Sequence, residues 1–179
     1  MTAPNRRTTL ALLAAGTLAA CAPPLPPAIG PDGRPVRSEA YRPRDRSRVA
    51  FRALDAVNAL RAQSGAVPVD LDPRLTAAAE THSRDMALQN RPWLFGSDGT
   101  NPIDRARRAG FGGRLLGEAI SESFETELET IVAWGQDPAT RRILLDPDAR
   151  RMGFAYHQER DGKLWWTLNM GTGAGGGFA

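Results

Sequence analysis

The chain has 179 residues and a formal net charge of +3, and its single cysteine and two histidines exclude a disulfide framework and a cysteine-based zinc site. The charge lies in residues 1–45, which hold six arginines and three acids, so residues 46–179 are balanced, with 17 basic and 17 acidic side chains. A nucleic-acid-binding domain carries its own basic face, and we therefore expect no nucleic-acid partner.

The N-terminus has the features of a bacterial export signal. An arginine pair precedes residues 10–20, which are apolar over a stretch too short to span a membrane. The segment Leu18 to Cys21 resembles the bacterial lipobox, in which the cysteine is acylated and becomes the new N-terminus. We therefore predict a lipoprotein signal peptide over residues 1–20 and a lipid-modified Cys21 that holds the protein on a membrane. The alternative is an ordinary secretory signal with a chance cysteine.

Residues 21–45 are predicted to form a linker, because seven of the 14 prolines of the chain fall within them. Proline favours an extended chain of about 3.1 Å per residue, so this stretch can hold a domain up to roughly 70 Å from the membrane. The folded domain is expected over residues 46–171, and a glycine-rich tail is expected over residues 172–179.

Two helices with a short strand between them are predicted at the start of the domain. Apolar residues at helical spacing predict a helix over residues 46–64, and apolar alternation predicts an extended strand over residues 67–71. Asp72 as an N-cap and Pro73 at the first helical position begin a second helix, which ends before residue 91.

The second half of the domain starts with a loop over residues 91–101 and a short helix over residues 103–109. A glycine-rich bend then leads into the segment 115–120, to which no element is assigned. The remaining predicted elements are a helix that follows a capping box of Thr126 and Glu129, a helical turn from Pro138 to Leu145, and two strands over residues 152–158 and 163–170 that join at Asp161-Gly162.

Helices first and a strand hairpin last indicate the α+β class. A series of short motifs along residues 47–171 resembles, in the same order, the bacterial branch of the CAP superfamily (cysteine-rich secretory, antigen 5 and pathogenesis-related proteins), also called SCP-like domains. The resemblance implies a three-layer α-β-α sandwich with a central cleft. The motifs are Val57 to Arg61, Leu71 to Ala79, His82 to Met86, Pro102 to Arg105 with Ala109 to Phe111, Gly117 to Ile120, Trp134 with Pro138 and Arg141, Leu144 to Pro147, Gly153 to Ala155, and Trp166-Thr167.

The cleft of this family usually presents two histidines and two acids, a set that can bind a divalent metal. The resemblance puts Gly96 and Thr140 where the two histidines stand, whereas Glu118 and Asp137 match the acidic positions. Zinc needs three or four nitrogen, sulfur or oxygen ligands and favours imidazole. We therefore expect neither a tight metal site nor a cofactor.

Four residues are candidates for the cleft or for ligand binding, namely Glu118, Asp137, Thr140 and His82. Glu118 has a structural alternative as a buried acid that is bonded to backbone amides or to an arginine such as Arg141. His82 lies on the apolar stripe of the second helix, where the alternative is a packed, hydrogen-bonded core histidine.

The resemblance and the predicted anchor imply a membrane-anchored envelope protein without catalytic activity, which binds a ligand or an envelope partner in its cleft. The expected ligand is a lipid, a small apolar molecule or a cell-wall component. The expected location is the outer membrane or the periplasmic face, and the chain is expected to be a monomer.

Two alternative functions are a purely structural envelope protein that is tethered by its linker, and a hydrolase. Catalysis by a serine needs an activating base. Ser97, Ser121 and Ser123 have no histidine partner at the motif positions, so no catalytic residue is assigned.

Overall fold

The computed structural model describes residues 45–122 and 124–173 of the protein, so the predicted signal peptide, Cys21, nearly all of the linker and most of the tail lie outside the described residues. Within the described part, no helix is long and apolar enough to cross a bilayer. The elements in chain order are α1 (Arg46–Gln63), β1 (Asp70–Leu71), α2 (Pro73–Gln89), α3 (Pro102–Arg108), β2 (Leu115–Glu122), α4 (Glu127–Gln136), α5 (Pro138–Leu144), β3 (Arg151–Gln158) and β4 (Leu164–Gly171).

One mixed sheet with the strand order β1-β3-β4-β2 forms the centre of the domain. The predicted hairpin is confirmed, because β3 and β4 pair in an antiparallel register and Gly162 takes a positive φ of 98° in the connection. The segment without a predicted element is the edge strand β2, which pairs with β4 in an antiparallel register. Strand β1 is shorter than predicted and pairs with β3 in parallel over two residues.

Helices cover both faces of this sheet. Helices α1, α4 and α5 pack on one face, where Val57, Trp134 and Phe154 belong to the main apolar core, and α2 and α3 pack on the other. All eight residues of β4 are buried because this strand has helices above and below it. The structure therefore confirms the predicted α+β class and the three-layer α-β-α sandwich.

Local capping explains where α2 and α3 begin. The Asp72 carboxylate accepts hydrogen bonds from the backbone N–H groups of Arg74 (2.8 Å) and Leu75 (3.2 Å), as the Asp72-Pro73 pair predicts. Helix α3 begins with a reciprocal capping box between Asn101 and Asp104. Such caps satisfy N–H groups that have no partner inside the helix, and here they fix both helices that face the candidate site.

Strand β3 packs very closely against the start of α2. A Cβ atom on Gly153 would lie 2.2 Å from the carbonyl carbon of Leu75 and 2.4 Å from the nitrogen of Thr76, both of which are backbone atoms. A backbone contact cannot be relieved by a change of side-chain rotamer. Only glycine lets α2 approach the sheet this closely.

We expect Gly153→Ala to lower the free energy of unfolding by at least about 3 kcal/mol, the upper end of ordinary overpacking costs. The matched control is Gly112→Ala, because a Cβ there has nothing within 4 Å and the expected change is within about 0.5 kcal/mol. Urea unfolding of both variants measures the difference. A Gly153→Ala chain as stable as the control would show that the two layers are not held this closely.

Candidate functional site

The site is built around Glu118, the acid that the sequence singles out. Glu118 lies in β2, where successive side chains point to opposite faces of the sheet. A Cβ on the preceding Gly117 would lie 2.9 Å from the side chain of Ile143 in α5, so Glu118 faces the opposite layer, which consists of α2 and α3. Its side chain is only 1% exposed.

The partner of Glu118 is Arg105 of α3, a residue that sequence reasoning did not assign to the site. Arg105 Nη2 donates to Glu118 Oε1 at 2.6 Å, and the Arg105 side chain is 5% exposed. Its guanidinium also donates to the backbone carbonyls of Thr100 and Leu94, each at 2.9 Å. The alternative in which Glu118 is a buried acid bonded to an arginine fits this geometry, but with Arg105 as the arginine. Arg141 donates instead to the Gly135 carbonyl.

His82 of α2 completes this buried group. Its Nε2 atom lies 3.0 Å from the carbonyl oxygen of Trp93 and 3.5 Å from Glu118 Oε1. A carbonyl oxygen only accepts hydrogen bonds, so Nε2 carries the hydrogen and Nδ1 of the neutral ring is an acceptor. His82 is fully buried and hydrogen-bonded, which matches its structural alternative, yet it also adjoins the candidate acid.

Burial shifts the pKa values of the two groups in opposite directions. Desolvation raises the pKa of Glu118 to about 7, although the Arg105 charge and its hydrogen bond act to lower it. Desolvation, followed by repulsion from Arg105, lowers the pKa of His82 to about 4. At neutral pH the histidine is therefore uncharged.

Several polar atoms of this group have no hydrogen-bond partner among the described residues. They include Glu118 Oε2, His82 Nδ1, Arg105 Nε and Asn169 Oδ1. Asn169 is the register partner of Glu118 in β4 and therefore belongs to the same face of the sheet. We call these four residues the polar cluster. A buried polar atom without a hydrogen-bond partner lowers the stability of the folded state. The rest of the fold must therefore offset the cost of the polar cluster.

A cavity of about 520 Å³ lies beside the polar cluster, between α2, α3 and the loop that precedes α3. We call it the cleft. Arg105 belongs both to its wall and to the polar cluster. The other lining residues are Ala77, Ala78, Thr81, Arg84, Asp85, Leu88, Ser97, Asp98, Thr100, Arg108 and Ala109.

Both carboxylates of the cleft are engaged by the loop itself. Asp85 accepts from the backbone N–H of Ser97 at 2.7 Å and from its hydroxyl at 2.5 Å. Asp98 accepts from the hydroxyl and the N–H of Thr100 and from Arg108, and these bonds lower the pKa of Asp98 well below its usual range. The carboxylates therefore serve to shape the loop.

Gly96 lies inside this turn. Its N–H donates to the Thr100 carbonyl at 2.8 Å. A Cβ at residue 96 would lie 2.6 Å from the Thr100 hydroxyl oxygen and 2.7 Å from Asp98 Oδ1. At this position, where the resemblance expects a histidine, a side chain would force Thr100 and Asp98 to give up the hydrogen bonds that shape the loop or to shift.

Asp137 and Thr140 lie elsewhere. Asp137 caps α5, and its Oδ1 atom accepts from the N–H of Thr140 at 2.9 Å and from its hydroxyl at 3.0 Å. These bonds lower the pKa of Asp137. Helix α5 packs on the face to which Gly117 points, opposite Glu118. The structure thus brings His82 to Glu118 and Asp137 to Thr140, and it separates the two pairs by the sheet.

Within residues 45–122 and 124–173, no three His, Cys, Asp or Glu side chains converge as metal ligands. The positive charge beside Glu118 is instead the guanidinium of Arg105.

Comparison with known proteins gives a consistent result. A sequence model of the cysteine-rich secretory protein (CAP) family matches residues 54–170. The protein YkwD of Bacillus subtilis is 26% identical over 118 residues, which are 64% of this chain and 44% of YkwD. The chain therefore spans less than half of the length of that relative.

Two solved structures share the fold. An extracellular protein of Bacillus anthracis that contains an SCP domain is 19% identical, with a TM-score of 0.66 over 75% of this chain and 45% of that one. An outer surface protein of Borrelia burgdorferi is 16% identical, with a TM-score of 0.63 over 68% of this chain and 90% of that one. At these identities the likeness concerns the fold alone.

The opposite pKa shifts of Glu118 and His82 act on stability in opposite directions. Glu118 loses its proton near pH 4.5 when unfolded and near pH 7 when folded, so rising pH weakens the folded state between these values. His82 loses its proton near pH 6.5 when unfolded and near pH 4 when folded, so rising pH strengthens the folded state between these values. Where the two windows overlap, the effects cancel.

We expect Glu118→Gln to uncover the effect of His82, so that the free energy of unfolding rises between pH 4.5 and 6.5 by up to ~1.4 kcal/mol per pH unit, relative to the parent chain. His82→Gln should show a fall over the same range. Urea unfolding at stepped pH measures both slopes, with the exposed Asp148→Asn as control. Identical slopes in all four chains would contradict the opposed titrations.

Proposed function

This chain belongs to the CAP, or cysteine-rich secretory protein, family, and from that premise we propose that it is a non-catalytic envelope lipoprotein. In this proposal an acylated Cys21 holds it on the membrane, and the cleft binds a ligand or an envelope partner. The structural neighbours described as an extracellular protein and as an outer surface protein support a location at the cell surface.

The observation that carries the proposal is the internal neutralisation of Glu118. A general base must reach the proton that it removes, but Glu118 is 1% exposed and paired with Arg105. His82 is buried, with its Nε2 atom directed at the Trp93 carbonyl. The hydroxyl of Ser97 donates to Asp85, not to a histidine. These contacts favour binding over the hydrolase alternative.

The lining of the cleft favours a polar ligand. Arg84 and Arg108 carry positive charge at its wall, where they pair with Glu80 and Asp98, and apolar atoms from Leu88 complete it. Because the loop already engages both aspartates of the cleft, the groups that suit a ligand are the two guanidinium groups, which bind carboxyl groups through strong and directional charge-assisted hydrogen bonds. Of the expected ligand classes, a cell-wall component such as a peptidoglycan peptide fits this chemistry.

A second cavity supports the apolar-ligand alternative. It has a volume of about 390 Å³ and lies between α1, α2 and β3. Its walls include the apolar side chains of Val49, Phe51, Leu71 and Phe154. Pockets lined mainly by apolar groups, with few polar ones, typically hold apolar small molecules. The two cavities thus correspond to two ligand classes that one experiment can separate.

For the cleft, we expect Arg108→Gln to reduce binding to purified peptidoglycan sacculi roughly tenfold, the loss of one charge-assisted hydrogen bond. Arg142→Gln is the matched control, because Arg142 is an exposed arginine of α5 in the opposite layer. Co-sedimentation with sacculi and, separately, with lipid-extract vesicles measures both. Equal binding of both variants to sacculi would reject the cleft as the site, and binding to vesicles alone would favour the lipid alternative.

For the anchor, we expect Cys21→Ser to move the full chain from the membrane fraction to the soluble fraction and to abolish incorporation of labelled palmitate. The reason is that the thiol of Cys21, the only cysteine, is the predicted acylation site. Processing and fractionation like those of the parent chain would instead support an ordinary secretory signal.

A further inference from the structure

The loop before α3 exposes apolar side chains at consecutive positions. Leu94 is 42% exposed and Phe95 is 49% exposed. Trp93 is half-buried, and its ring lies 5.5 Å from that of Phe95. We call Trp93, Leu94 and Phe95 the apolar tip. A contiguous apolar surface that remains exposed in the folded state marks a contact site.

Side chains of the domain hold the backbone of the apolar tip in place. The carbonyls of all three residues accept hydrogen bonds from side chains of the domain: Trp93 from His82, Leu94 from Arg105 and Phe95 from Gln89. The Trp93 indole also donates to Gln89 Oε1 at 2.8 Å. Because these carbonyls are hydrogen-bonded to the domain, the backbone of Leu94 and Phe95 is already ordered before any contact forms. Binding then does not have to meet the entropic cost of ordering this loop.

The basic side chain of Arg91 adjoins the apolar tip. The Arg91 guanidinium lies 3.9 Å from the centre of the Trp93 ring. In the described part of the chain Arg91 has no carboxylate partner. Lys163 reaches Asn90 at 3.1 Å, although it also pairs with Glu122 at 2.6 Å. Aromatic rings with adjacent basic groups favour the interface between a bilayer and water, where the rings lie at headgroup level and the charge meets anionic lipid.

We propose that the apolar tip is a membrane-contact surface, which seats the domain on an anionic lipid bilayer. Three side chains cover far less than the roughly 1,200 Å² that specific protein–protein interfaces bury. A surface of this size suits a weak contact that is made near a membrane already held close by another anchor. In this respect the inference rests on the proposed acylation of Cys21.

The test uses the full chain, because every variant then carries the same N-terminal residues. Vesicles contain phosphatidylglycerol brominated near the headgroup end of its acyl chains, which quenches tryptophan fluorescence on contact. Trp93 is the reporter, since Trp134, Trp165 and Trp166 are at most 4% exposed and give a constant background. We expect quenching of the parent chain and its loss in Trp93→Phe.

The double variant Leu94→Ser/Phe95→Ser, made in the Cys21→Ser chain, should partition into the vesicles at least about tenfold more weakly, because two large apolar side chains no longer enter the lipid. Its matched control is Leu128→Ser/Val132→Ser on α4, where the two residues are 48% and 59% exposed. This control should partition like the Cys21→Ser parent. Phosphatidylcholine vesicles should bind the parent less than anionic ones do, because the charge of Arg91 then has no lipid partner.

Equal partitioning of the tip variant and its control would overturn the proposal. So would unchanged vesicle binding with altered self-association in sedimentation equilibrium, which would make the apolar tip a contact between copies of the chain. Failure of the Cys21 anchor is a separate result, since it changes palmitate labelling and leaves the quenching by added vesicles measurable.

Discussion

The ion pair between Arg105 and Glu118 joins three parts of this domain at the candidate site. One guanidinium connects α3 to β2 and also to the loop, through the carbonyls of Leu94 and Thr100. Two buried charges are costly to desolvate, and removing one partner of such a pair typically destabilises a protein by about 3–5 kcal/mol. The position of the loop, and with it the cleft and the apolar tip, therefore depends on this pair.

The same pair limits what the cleft can do chemically. A guanidinium is always charged and its geometry matches a carboxylate, so Glu118 is satisfied from inside the protein on one oxygen. The aspartates of the cleft are similarly engaged by Ser97 and Thr100. What the cleft offers to a ligand is its shape and the pattern of charge along its wall, and such a surface is suited to recognition.

Features that are encoded locally could be predicted from the sequence, and features that depend on distant partners could not. The Asp72-Pro73 start of α2 and the Asp161-Gly162 turn are each set by adjacent residues, and both were predicted. Strand β2 was not, because Leu115 and Leu116 break the alternation that marks a strand and its partner β4 lies far along the chain. The roles of Asp137 and Thr140 as a local cap follow from α5 itself, whereas motif order alone had grouped both with Glu118.

Arg105 shows why the site was only partly predictable. Helix α3 contains Arg105, Arg107 and Arg108, and composition does not distinguish them; only the helix orientation turns one of them inward. The orientation in turn sets the loop, whose residues 93–95 form the apolar tip and whose residues 97–100 form a wall of the cleft. Because a single buried arginine holds both parts, a membrane that engages the apolar tip would also fix the orientation of the cleft relative to the lipid surface.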